Sequence, residues 1–241
     1  MINHVTALIK TFERPNYLNR LITSIRKFYP DLKVIVADDS REPRPIEGIK
    51  VIKLPFDTGI AGGRNAALKQ ITTKYFLLLD DDVVFTKHTK LDRMYDILEN
   101  SEIDIIAGKR GASFEGTFEI VGHTMRHLKK KKDTIYGCGI YDVVHNFFMA
   151  DTKKVKDLGG WDRRFKIGGE HGDFFLRAKK ANLVVGYCGD VAIRHSHDLP
   201  MTPFYKQYRA RPPKLKTTQL MMKKHGLKIA IDRGGRKHRL E

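Results

Sequence analysis

Two apolar runs, KVIVA at 33–37 and YFLLL at 75–79, each stop on aspartates, Asp38-Asp39 and then Asp80-Asp81-Asp82. Runs this short, apolar throughout and bounded by polar residues, predict strands buried on both faces. Val5–Thr11 reads as a strand of the same kind, and Val51–Leu54 as another. Between them the period changes. Leu18, Leu21, Ile22, Ile25 and Phe28 fall at helical spacing, with Asn16 in position to cap and Pro30 to stop the helix. Gly59–Gly63 opens a second helix that runs through Ile71, Leu91–Leu98 is a third, and Ile103–Ala107 is a strand. Strands alternating with helices predict an α/β fold: a mostly parallel, twisted sheet with helices on both faces. Ligands of such sheets bind beyond the carboxyl ends of the strands, where the aspartates stand.

Residues 109–140 are polar and basic, contain the LKKKK run, and read as a mobile loop region. Val143–Met149 is strand-like and Lys153–Leu158 a short helix. Asp173–Lys180 is a further helix, followed by strands at Leu183–Tyr187 and Val191–His195. Past Pro200, prolines 203, 212 and 213 break any long element, and the chain ends in a segment expected to be poorly ordered on its own. These boundaries divide the chain into 1–200, with halves 1–108 and 109–200, and a basic extension, 201–241.

Charge follows the same division. The 241 residues carry a net +17; residues 201–241 hold 12 basic and 2 acidic side chains, and residues 1–200 hold 33 and 26. Such a tail suits an anionic partner, either DNA, with Tyr205 and Tyr208 as base-stacking rings, or an anionic membrane surface. An apolar content of 41% excludes a disordered chain, and no apolar run approaches the ~18 residues of a membrane span. Cys138 and Cys188 form no zinc spacing; a bridge is geometrically possible, and two free thiols in a reducing cytosol is the preferred expectation. With no leader sequence recognisable, the expected setting is cytoplasmic.

Four segments can carry chemistry. Three adjacent carboxylates, Asp80–Asp82, repel one another unless a cation sits among them, and Mg2+ or Mn2+ prefers such oxygens; a solvated acidic turn is the plain alternative. The segment Arg194-His195-Ser196-His197-Asp198 ends a late strand, from which His195 can reach the same ion and Asp198 can add a ligand. Gly168-Gly169-Glu170-His171-Gly172-Asp173 opens a helix and offers three proton acceptors, or simply a helix cap. Gly59-Ile60-Ala61-Gly62-Gly63-Arg64-Asn65 allows backbone to approach a phosphate, with Arg64 as a cation; Arg14 after the first strand is similar. It is neither a Walker nor a dinucleotide fingerprint.

Taken in order, TALIKTFERP, VIVADDS, GIAGGRNAAL, YFLLLDDDVVFT, LGGWDRRF and GGEHGDFFLRA resemble the glycosyltransferases of the A-type (GT-A) fold, in the broad family-2 group. VVHNFFMADTKKV and the HGDFF stretch are similar to the animal β1,4-N-acetylgalactosaminyltransferases, and AIRHSHD to the metal-histidine segment of β1,4-galactosyltransferases. The likeness covers residues 5–198. It implies a nucleotide pocket of Thr11, Arg14, Asp39 and Arg64, and a Mn2+ or Mg2+ ion on Asp82, Asp80 and His195, with Asp81 beside it. It also implies a UDP-sugar donor, a glycan or glycolipid acceptor near Trp161 and Asp162, and inverting transfer. The base is His171, which stands where many relatives have aspartate; Asp173 and Glu170 are the alternatives. Two other functions stay open: the same transfer to a hydroxylated base of viral DNA, and a non-catalytic binder on a transferase fold. Because the animal relatives carry an N-terminal anchor, a bacterial or viral enzyme is expected.

Overall fold

The structure is a computed structural model and describes residues 2–196, 198–209 and 214–240. His197, Pro212 and Pro213, named above, lie outside the described residues.

The first half alternates as expected: β1 (Val5–Thr11), α1 (Pro15–Phe28), β2 (Lys33–Asp38), β3 (Lys50–Lys53), α2 (Ile60–Gln70), β4 (Tyr75–Asp80), β5 (Val83–Val84), α3 (Leu91–Asn100) and β6 (Ile105–Arg110). β3-β2-β1-β4 are neighbours and parallel. Alternate side chains of β4 enter different cores. Phe76 and Leu78 pack with Ala61, Ala67 and Leu68 of α2, whereas Leu77 and Leu79 pack with Leu21 and Ile25 of α1 and Met94 of α3. Period-2 burial on both faces is why YFLLL is apolar throughout. α1 begins at Pro15, where the missing N–H costs nothing; Asn16 lies inside the helix and does not cap it.

The second half holds β7 (Thr117–Val121), β8 (Thr124–Leu128), β9 (Asp133–Ile135), β10 (Cys138–Tyr141), β11 (Phe147–Asp151), α4 (Thr152–Asp157), α5 (Glu170–Lys180) and β12 (Val185–His195). β11 runs antiparallel between β4 and β6, and β12 lies parallel to β6, giving a mixed ten-stranded sheet. β12 carries a register shift between Cys188 and Ala192, so the two strands expected at 183–187 and 191–195 are one bulged strand. The carboxyl ends of β1, β2, β4, β6 and β12, and the chain entering β11, therefore share one edge.

Three expectations are corrected. Residues 109–140 are not a loop region: they form β7 to β10, whose alternating polar residues hid the strands. The cysteines are not free thiols: Cys138 on β10 and Cys188 on β12 are bonded across an antiparallel pair, with Cα atoms 4.8 Å apart. The segment after Pro200 is not a loose tail. It forms α6 (Pro203–Arg209), α7 (Lys214–His225), β13 (Ile229–Ile231) and β14 (Lys237–Arg239). β13 pairs with β8, and Met221, Met222, Leu227 and Ala230 enter the main core. Among the described residues no helix is long and apolar enough to cross a membrane.

Candidate active site

The acidic triplet follows β4 and is wrapped by arginines from three elements. Asp80 accepts from Arg64 Nη2 (2.9 Å) and lies 3.1 Å from Arg110 Nη1. Asp81 is 1% exposed; it accepts from the Thr11 hydroxyl (2.7 Å) and from both Nε and Nη2 of Arg14. Asp82 accepts from Arg14 Nη1 (3.2 Å) and Arg110 Nη2 (2.8 Å), and its Oδ1 lies 3.4 Å from His195 Nε2. Burial opposes the ionised form of Asp80, but Arg110 and Arg64 outweigh it and hold the carboxyl at about 2. Burial has the larger say at Asp81, and Asp82 and Asp80 repel it further, so its carboxyl is raised despite Arg14.

Asp39 is fully buried. Its carboxylate pairs with Lys10 (2.5 Å) and accepts from the Gly59 N–H (2.7 Å). Gly59 has φ 91°, and a Cβ there would meet the Lys166 backbone, so only glycine lets α2 start against that carboxylate. Arg64, 2% exposed, reaches from α2 to Asp80 on one side and to Glu170 (3.6 Å) on the other. Its neighbour Asn65 clasps the backbone of Trp161 with two hydrogen bonds of 2.6 and 2.8 Å.

Trp161, expected either to stack on an acceptor sugar or to be a core residue in a Gly-Gly turn, is 2% exposed and lies against Phe174, ring centroids 5.0 Å apart. Asp162 beside it is held well below the usual carboxylate range by Arg164, with Lys224 also donating (2.8 Å). Asp198 pairs with Arg20 (2.8 Å) and accepts from the Ser196 hydroxyl (2.5 Å).

The three base candidates separate. Asp173 is 0% exposed and turned inward: Arg177 Nε (2.9 Å), Lys224 Nζ (2.6 Å) and His225 Nε2 (2.9 Å) surround it. These partners tie α5 to α7 through the Asp173 carboxylate. His171 Nδ1 donates to Asn146 Oδ1 (2.7 Å), and the ring packs against Phe114 and Phe175. The Asn146 amide leans 3.5 Å towards Asp80, which links the imidazole to the triplet. Burial, with help from Arg64, lowers His171 to about 3 and keeps it neutral. Glu170 is 6% exposed, faces Arg64, and its Oε2 accepts no hydrogen bond among the described residues.

Arg110, Asn146, Lys10, Lys224 and His225 were not singled out from the sequence. The available signal for Arg110 was its place just past an apolar strand; for Lys224 and His225 there was none. Beside Arg110 lies a cavity of about 670 Å³ lined by Arg110, Phe114, His145, Arg194 and His195. On the other flank α6 folds over Arg14, whose guanidinium sits 4.7 Å above the Tyr205 ring. Tyr205 and Tyr208, expected as base-stacking rings, instead pack against Arg14 and against Phe12 and Phe56.

Residues 6–159 match the family model "Glycosyl transferase family 2". The chain belongs to that family. It is 37% identical over 214 residues to human beta-1,4 N-acetylgalactosaminyltransferase 1, covering 82% of this chain and 40% of that protein. To mouse beta-1,4 N-acetylgalactosaminyltransferase 2 it is 36% identical over 228 residues, 86% of this chain and 44% of the relative. The chain therefore spans less than half the length of these relatives. Among solved structures, S. aureus TarS 1-349 in complex with UDP-GlcNAc superposes with a TM-score of 0.65 at 17% identity, over 90% of this chain and 65% of that one. That likeness bears on the fold, which is GT-A-like.

Asp80, Asp82 and His195 offer two carboxylates and an imidazole, a donor set that suits Mn2+ or Mg2+. Among the described residues no group of three such side chains is arranged to hold an ion, and the Arg110 guanidinium lies 3.1, 2.8 and 3.0 Å from Asp80, Asp82 and His195. The chemistry of the donor set fits the ion.

Proposed function

We propose that this chain is a metal-dependent, inverting glycosyltransferase. It moves a hexose or N-acetylhexosamine from a UDP donor to a hydroxyl of a glycan or glycolipid. The observation that carries this reading is the convergence of Asp80, Asp82 and His195 with Arg14, Arg64 and Arg110 on the carboxyl edge of the sheet. Family membership supports it, as do the names of the relatives and the UDP-GlcNAc complex of the structural neighbour.

Asp80, Asp82 and His195 would hold the Mn2+ or Mg2+ ion, whose chemistry is to neutralise charge growing on the departing diphosphate. Arg14 and Arg64 add fixed positive charge on either side of the triplet, which costs no reorganisation as the bond breaks. His171 is the base. Asn146 holds its proton on Nδ1, which leaves Nε2 as the basic nitrogen of a neutral ring. Part of the depression of its pKa comes from Arg64; a diphosphate beside Arg64 offsets that charge and lifts the imidazole towards a useful basicity. Attack from the face opposite the diphosphate turns an α-linked donor into a β-linked product. A cytoplasmic setting is carried forward from the sequence alone; the Cys138–Cys188 bond weighs against it, since such bonds persist mainly in oxidising compartments.

The test is transfer from a panel of UDP-sugars with Mn2+ present, the product anomer being read by NMR. His171→Ala is expected to lower kcat by ~10²-fold or more with little change in donor affinity, the scale of a lost general base. A product of retained configuration would sink the inverting mechanism. An active His171→Ala with an inactive Glu170→Gln would give the base role to Glu170.

A further inference from the structure

One side chain stands where the metal reading needs an ion. Arg110 ends β6, and its guanidinium lies 3.1 Å from Asp80 Oδ2, 2.8 Å from Asp82 Oδ1 and 3.0 Å from His195 Nε2. These three groups are the ones that would hold a divalent ion. An ion placed there competes with this guanidinium, because the two like charges repel and both draw on the same three groups. Arg110 is also incompletely satisfied in this position. Its Nε is buried and finds no hydrogen-bond partner among the described residues, which is costly for a charged donor. An alternative place adjoins it, since Arg110 itself lines the cavity of about 670 Å³ that His195 also lines.

We propose that Arg110 is an exchange residue: it occupies the carboxylates of the donor-free enzyme, yields them to the divalent ion, and then pairs with the donor diphosphate from the adjoining cavity. This rests on the metal-dependent reading given above. The exchange keeps the site close to electroneutral throughout. Without an ion, Arg14, Arg64 and Arg110 balance Asp80, Asp81 and Asp82. With ion and donor bound, the freed guanidinium balances one of the charges that the diphosphate brings. The planar guanidinium suits both tasks, because it bonds carboxylate and phosphate oxygens in the same two-pronged way. It also explains why Arg110 touches the two outer aspartates and leaves the buried Asp81 to Arg14 and Thr11.

The experiment titrates wild type, Arg110→Gln and Arg110→Lys with Mn2+ alone, following free Mn2+ by electron paramagnetic resonance. Each protein is then titrated with UDP at saturating Mn2+. Removing a charged competitor for two carboxylates is expected to tighten Mn2+ binding by ~10-fold in Arg110→Gln, while UDP binding weakens by a similar factor. Arg110→Lys keeps a charge without the fork; Mn2+ binding should tighten less, and UDP should still weaken. Opposite movement of the two affinities is the signature, because a merely structural role would weaken both. If Arg110→Gln does not fold, the lysine variant carries the comparison. Mn2+ bound by wild type but no tighter by either variant overturns the exchange and leaves the metal reading standing. Mn2+ bound by none of the three overturns the metal reading and the exchange together.

Discussion

Replacing Asp173 by asparagine tests whether the segment after Pro200 belongs to the folded core. The carboxylate is fully buried and accepts from Arg177 within its own helix and from Lys224 and His225 of α7. Lys224 is shared with Asp162, so one ammonium ties α7 to both the GGWD loop and α5. Asparagine preserves the volume and one acceptor oxygen but places an amide against three donors. Removing one partner of a buried ion pair costs ~3–5 kcal/mol, because the remaining charges are left uncompensated. Since one carbonyl remains to accept, we take the lower end, ~3 kcal/mol. For a chain of this size each kcal/mol moves Tm by ~2–4 °C, giving a fall of ~6–12 °C. The assay is urea and thermal unfolding at pH 7, on Asp173→Asn, Lys224→Met and the double variant. The double variant should lose less than the sum of the singles, by at least ~1 kcal/mol, since the two side chains form one interaction. Acid gives an internal check. Burial opposes the Asp173 charge, but His225, Lys224 and Arg177 outweigh it and lower the carboxyl to about 2. Its contribution is thus present above the unfolded value near 3.8 and is lost as pH falls through 2, so the gap between wild type and Asp173→Asn should narrow there. An Asp173→Asn protein as stable as wild type at pH 7, or a chain ending at Pro200 that melts at the wild-type temperature, would refute the reasoning.

Three further outcomes are expected. His171 is lowered to about 3 from an unfolded value near 6.5, so its contribution is complete above pH 6.5 and drains away as pH falls towards 3. Wild type should lose up to ~2 kcal/mol relative to His171→Gln between pH 6.5 and 5, measured by urea titration; a constant difference would show that the ring is not buried neutral. Trp161→Ala should cost ~3–5 kcal/mol of stability while a correctly folded Trp161→Phe keeps acceptor KM unchanged; a selective rise in KM would return Trp161 to the acceptor site. Reduction of Cys138–Cys188, which closes a 50-residue separation, should lower unfolding free energy by up to ~4 kcal/mol; no change in Tm with reductant would mean the bond adds nothing to the fold.

The parts of the fold legible in the sequence were those with a clean period. KVIVA and YFLLL read as buried strands because they are short, apolar throughout and bounded by polar residues, and Leu18-Leu21-Ile22-Ile25 reads as an amphipathic helix from its spacing. β7 to β10 were not legible. Their residues alternate, and with one face solvated the polar half reads as loop, the LKKKK run most of all. The tail was misread for a related reason. Its charge dominates its composition, and the apolar side chains that enter the core from it, Met221, Met222, Leu227 and Ala230 among them, are a minority of its residues. Within the site, the aspartates were visible because three adjacent carboxylates at a strand end need an explanation. Arg110 and Lys224 were not visible, because a lone basic residue in a chain with 45 of them carries no signal until the fold brings it to a carboxylate. Trp161 and Asp173 stand out in the sequence, but neither spacing nor motif reports which way a side chain turns.

The central claim is that the carboxyl edge of the sheet, built on Asp80 to Asp82, holds a nucleotide diphosphate together with a divalent ion. Calorimetric titration of UDP into wild type and Asp82→Asn, with and without Mn2+, tests it most directly. Wild type should bind UDP at least ~10-fold more tightly with Mn2+ than without, and Asp82→Asn should bind it with the same weak affinity in both conditions. UDP binding that is indifferent to Mn2+ in wild type, or a Mn2+ effect undiminished by Asp82→Asn, would contradict the account.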